Sequence, residues 1–211
     1  MEISFLGMNC VRLTAKDLAI LFDPYSSKSG LPAIKVTNDV TLVSQVTTEI
    51  PEKSGMVLDS PGEYEVKGAM ITGVPARLHI DGPEEHSNNA TIYSVVLDGV
   101  HVGLLGNIAP DLKDEQVEAL GTVDVLVIPV GNHGLTLDAT SAAKIISQLE
   151  PKYVIPTHYD DDGVKYEVGQ AKLDDFLKEI GSHPDPQPKL RVTNRDLPLE
   201  TTVVVLQRQG S

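Results

Sequence analysis

Short apolar runs, β-branched or alternating, recur through the first half of the chain and are broken by Gly, Asp, Asn and Lys at turn-like spacing. A chain built this way can form only a series of strands there, because a side chain changes face at every residue of a strand and each break leaves room for a turn. The expected strands cover 2–6, 10–14, 18–22, 40–43, 56–58, 64–66, 69–74, 91–97 and 100–105. Asp98-Gly99 joins the last two. That step supplies the positive φ angles of a two-residue hairpin, making it the strongest local signal in the sequence.

The pattern changes after residue 110. Asp111 or Asp114 is placed to cap a short helix ending near Gly121, and 123–128 is a continuous apolar run of the kind a strand buried on both faces requires. Ala142, Ile145, Ile146 and Leu149 fall at helical spacing behind a cap at Thr136 or Asp138, with Pro151 as the stop. A strand at 152–155 follows, then a second amphipathic helix through Leu173, Phe176, Leu177 and Ile180, closed by Gly181. Three prolines within 182–188 force an extended connection before strand-like residues resume at 190–192 and 202–206. Strands first and β-α-β-α units afterwards predict helices on the outer faces of two packed sheets. Residues 1–211 are expected to form one domain.

Charge narrows the function. The chain carries 17 Lys plus Arg against 30 Asp plus Glu, a net charge of -13, and no dense basic run. A nucleic-acid surface needs clustered cations and is not expected. With Cys10 as the single cysteine, no intrachain disulfide can form, and no apolar stretch approaches the length of a membrane span. A soluble protein of a reducing cytoplasm, without a membrane partner, is the expectation.

Chemistry should sit where strands end in abrupt loops. Gly106-Asn107, 129–133 and 156–162 are such places, and His133 and His158 are their candidate acid-base or metal groups. For His133 a loop-packing role is the better reading. His86 and His183 read as solvated, Cys10 as a core residue and Asp160-Asp161-Asp162 as a solvated turn.

The order of Phe5-Leu6-Gly7, Phe22-Asp23-Pro24-Tyr25, Ser60-Pro61-Gly62-Glu63-Tyr64-Glu65-Val66, Gly73-Val74-Pro75, Leu104-Leu105-Gly106, Ile128-Pro129-Val130-Gly131 and 149–159 resembles the metallo-β-lactamase fold superfamily, in its branch of small bacterial zinc-dependent hydrolases. The resemblance implies an α/β fold, the four-layer αββα sandwich, with a site at the shared end of two sheets. It also implies seven ligand positions. The superfamily's His-x-His-x-Asp-His loop falls on Gln45, Thr47, Glu49 and Ile50, its later His on His79, its bridging Asp on Asn107 and its final His on His158. Met8 stands where close relatives often carry a His. Glu49, His79, Asn107 and His158 are therefore the residual metal positions, too few for the usual dinuclear centre.

Two readings follow. The first is a non-catalytic binding or scaffold protein for a small molecule or protein, with no cofactor. The second is a metal-dependent hydrolase that holds zinc or another divalent metal at one site made of Glu49, Asn107 and His158, assisted by His79. A metal-free hydrolase with His133 or His158 as base is a third reading, for which the sequence offers no Ser-His-Asp spacing.

Overall fold

The computed structural model describes residues 1–45, 49–79 and 89–210. Thr47 and His86 lie outside them. Among the described residues a six-stranded sheet runs in the spatial order Leu190–Arg191 (β12), Glu2–Gly7 (β1), Cys10–Ala15 (β2), Leu18–Phe22 (β3), Val40–Leu42 (β4) and Met56–Leu58 (β5). A seven-stranded sheet runs Thr202–Val203 (β13), Tyr153–Thr157 (β11), Val125–Pro129 (β10), Val100–Leu104 (β9), Asn89–Leu97 (β8), Ala69–Arg77 (β7) and Gly62–Val66 (β6).

Side-chain alternation explains the layers. In β1, β2 and β3, Ile3, Phe5, Val11, Leu13, Ile20 and Phe22 enter the core between the sheets, while Leu6, Cys10 and Leu21 face the other way. β10 is apolar throughout because both its faces are buried: Val125 and Val127 join the inter-sheet core, and Leu126 and Ile128 meet the helices. Tyr93 of β8 ties the sheets together, its hydroxyl lying 3.0 Å from the Val43 carbonyl oxygen and 2.8 Å from that of Leu58.

Among the described residues three helices, Asp114–Leu120 (α1), Ala139–Leu149 (α2) and Leu173–Ile180 (α3), pack on the outer face of the seven-stranded sheet through Leu120, Ala142, Ile145, Ile146, Leu149 and Phe176. α2 starts where expected, with the Asp138 side chain accepting from the Ser141 amide at 2.7 Å. α1 is capped differently. Its N-cap is Lys113, whose backbone N–H donates to Gln116 Oε1 at 2.9 Å, and Asp114 lies inside the first turn, where a carboxylate favours the helix dipole. Asp98 (φ 52°) and Gly99 (φ 73°) make the anticipated hairpin turn.

The α/β two-sheet sandwich is thus the architecture, and helices cover one outer face of it. Over the other face, Tyr25, Leu31, Ile34 and Val36 are laid on Leu6, Cys10 and Leu21 by residues 24–37. That segment contains Pro24, Gly30 and Pro32 and achieves only a 3₁₀ turn, Ser27–Ser29, because proline removes amide donors and the turn ends at Gly30 with φ 77°.

Candidate functional site

Strand ends from both sheets converge on a cavity of about 450 Å³. The β1–β2 turn brings Met8 and Asn9, the end of β3 brings Asp23, the segment after β4 brings Gln45 and Glu49, the loop after β9 brings Asn107, and the residue following β11 is His158. Of the metal-site positions picked out in the sequence, Met8, Gln45, Glu49, Asn107 and His158 share this cavity. Ile50 and His79 do not line it, although the His79 backbone N–H donates to the Asn107 carbonyl oxygen at 3.1 Å. His133 is exposed and also lies outside it.

The floor is a chain of neutral hydrogen bonds. Thr157 Oγ1 donates to Asn9 Oδ1 at 3.1 Å, and Asn9 Nδ2 donates to Asn107 Oδ1 at 2.7 Å, all three residues being buried. The backbone joins the sheets at the same point, since the His158 N–H donates to the Met8 carbonyl oxygen at 2.8 Å. Gly106, just before Asn107, allows this approach: with φ 63° it adopts a conformation that side chains rarely take, and a Cβ there would collide with Ser44.

His158 is held from behind. Its Nδ1 lies 3.2 Å from Gln170 Oε1, and Gln170 is oriented by donating Nε2–H to the Val168 carbonyl oxygen at 2.6 Å. The amide oxygen therefore faces the ring, Nδ1 carries the hydrogen, and the neutral ring's lone pair is on Nε2. Burial lowers the His158 pKa, opposed by the Gln170 bond. Gly131 makes room for this support, because a Cβ there would meet the His158 carbonyl oxygen and Gln170 Oε1.

The carboxylates are engaged elsewhere. Asp23 is buried and accepts from the Ser44 amide at 2.7 Å and the Ser44 hydroxyl at 2.6 Å. Desolvation pushes its pKa up to about 6 against the lowering effect of those bonds. Glu49 is exposed and accepts from the Ser27 amide at 3.0 Å, which holds its pKa below the ordinary value. Asp161, in the acidic turn beyond His158, pairs with Arg208 Nε at 2.7 Å. Among the described residues no three His, Cys, Asp or Glu side chains converge as a metal-binding group.

Asn9, Gln170 and Tyr166 were not singled out by the sequence. Asp23 had a visible signal, a carboxylate placed directly after the apolar run of β3. Gln170 had none, because it lies in a polar loop far from any apolar pattern.

Two packed sheets with helices outside and a cavity at the ends of strands from both define a metallo-β-lactamase-type sandwich. Residues 2–158 match the Beta-lactamase superfamily domain, and the chain belongs to that family. Over 102 residues it is 35% identical to a UPF0173 metal-dependent hydrolase of Thermococcus onnurineus, a match covering 47% of this chain and 44% of the relative. Over 123 residues it is 35% identical to a Pyrococcus abyssi protein of the same description, covering 57% and 52%. The matched part thus spans about half the length of these relatives. The crystal structure of a Thermotoga maritima protein, described as a candidate Zn-dependent hydrolase of the metallo-β-lactamase superfamily, superposes with a TM-score of 0.78 at 30% identity and 98% coverage of both chains.

Proposed function

We propose that this protein is a single-domain, non-catalytic member of the superfamily that uses the strand-end cavity to bind a small molecule without a resident metal. The observation that carries this reading is the Asn9–Asn107 bond, in which the oxygen at the position corresponding to the bridging carboxylate is engaged by an amide N–H. A neutral amide oxygen in that state is a poor ligand and cannot neutralise two cations. With no bound cation, water in the cavity lacks the usual activation at neutral pH.

A second reading has its own support. Glu49, Asn107 and His158 do line one cavity, and rotation of Glu49 away from Ser27 would give a mononuclear site in a hydrolase like the named relatives. Metal analysis of the purified protein, with melting curves before and after chelator treatment, separates the two. Metal-free binding predicts substoichiometric zinc, an unchanged melting temperature and background hydrolysis of lactone, thioester, β-lactam and phosphodiester substrates. Stoichiometric zinc whose removal lowers the melting temperature, with turnover abolished by His158→Ala, establishes the mononuclear hydrolase instead.

A further inference from the structure

The hydrogen bonds behind the cavity fix which atoms remain for a ligand. Thr157 directs Asn9, and Asn9 occupies Asn107 Oδ1, so Asn107 presents its amide nitrogen; no bond from that nitrogen is formed among the described residues. On the other wall, Val168 directs Gln170 and Gln170 takes His158 Nδ1, so the neutral ring presents Nε2. One oriented donor and one oriented acceptor are left on residues that line the same cavity.

Charge and shape restrict the ligand further. Lys28 and Lys165 are balanced by Glu49 and Glu167 among the lining residues, and the Asp23 carboxyl is turned to Ser44. A bound anion would thus find no excess cation, and the one carboxylate in excess, Asp23, is engaged by the Ser44 amide and hydroxyl rather than offered to a bound cation. Tyr25 and Tyr166 also line the cavity, with their hydroxyls donated to the Pro32 and Tyr159 carbonyl oxygens at 2.9 Å and 2.6 Å, so their rings offer apolar surface. The volume of about 450 Å³ is that of a small-molecule site.

From these constraints we infer that the cavity binds a neutral polyhydroxylated small molecule of monosaccharide size, one hydroxyl accepting from the Asn107 amide, another donating to His158 Nε2, and a C–H face against the tyrosine rings. Hydroxyl groups suit such a site because each is both donor and acceptor. The inference rests on the metal-free reading of the same cavity.

The test is calorimetric titration of the chelator-treated full chain with glucose, ribose and sorbitol as neutral probes, glucuronate and glycerol phosphate as anions, and glucosamine as a cation. At least one neutral probe should bind saturably, with affinity little changed between low and high salt. Asn107→Asp keeps an oxygen for Asn9 but removes the amide donor, and should weaken that binding by about tenfold while the fold is retained. Failure of every neutral probe, or tighter salt-sensitive binding of a charged one, overturns the ligand class. The same titrations repeated with zinc separate the two readings. Neutral-probe binding that appears only with stoichiometric zinc overturns the metal-free reading, whereas absence of binding with and without zinc overturns the ligand class alone.

Discussion

Asn9 Nδ2 donates to Asn107 Oδ1 across 2.7 Å, and this bond joins the β1–β2 turn of one sheet to the loop after β9 in the other. With the Thr157 hydroxyl on its oxygen, Asn9 is satisfied on both sides, and the two sheets are clamped at the end where the cavity opens.

The clamp should matter for stability. Asn9→Ala leaves the Asn107 oxygen and the Thr157 hydroxyl without their partner, which should cost about 1–3 kcal/mol. In a chain of this length that is a fall of roughly 3–10 °C in melting temperature. Thr157→Val removes only one of the bonds and should cost less. Thermal and urea unfolding of the two variants checks the order, and equal losses would show that Asn9 does not link both partners.

Asp23 makes a pH-dependent contribution of predictable sign. Its folded-state pKa, pushed up to about 6, exceeds the unfolded value, so between these values the native protein binds more protons than the unfolded chain. The contribution is complete below the unfolded pKa and is lost as pH rises through about 6. Asp23→Asn lacks it. Stability of the wild type relative to this variant should therefore fall by about 2–3 kcal/mol on going from about pH 4 to pH 7. Paired urea titrations across that window measure the difference, and a flat difference would mean that Asp23 keeps an ordinary carboxylate pKa.

Gly131→Ala should disturb His158 from a distance. The new methyl group would meet the His158 carbonyl oxygen and Gln170 Oε1, so Gln170 must retreat from the ring or the strand end must shift. A stability loss of about 1–3 kcal/mol is expected. Nitrogen chemical shifts of the imidazole should also show the Nδ1–H tautomer losing its preference, whereas an unchanged tautomer would separate Gly131 from His158 orientation.

Cys10 should be inert in the native state. It is fully buried, and desolvation together with the nearby Asp23 charge raises its thiol pKa well above the ordinary value. Alkylation by a neutral maleimide should be undetectable under native conditions and rapid in denaturant. Fast native labelling would show that the layer formed by residues 24–37 opens.

Much of the fold was legible because it is locally encoded. The apolar run of β10, the i, i+3, i+4, i+7 pattern of α2 and the Asp98-Gly99 turn each follow from backbone geometry over a few residues, and their boundaries fell within a residue or two of expectation. The placement of all three helices on one face was less legible, because periodicity tells that a helix has an apolar side but not which sheet it meets.

By itself, the sequence determined the succession of strands and helices, the two-sheet class of the fold and the strand ends on which polar groups gather, since these depend on side-chain period and turn chemistry. Which of those groups meet was decided only by tertiary structure. Asn9 and Asn107 are 98 residues apart, and His158 reaches Gln170 across a loop without a pattern of its own. Hydrogen-bond pairing at that range depends on strand order, on two glycines that admit close approach, and on the direction each amide is turned by its neighbour. These are properties of the assembled sheets, and no local stretch of the chain contains them.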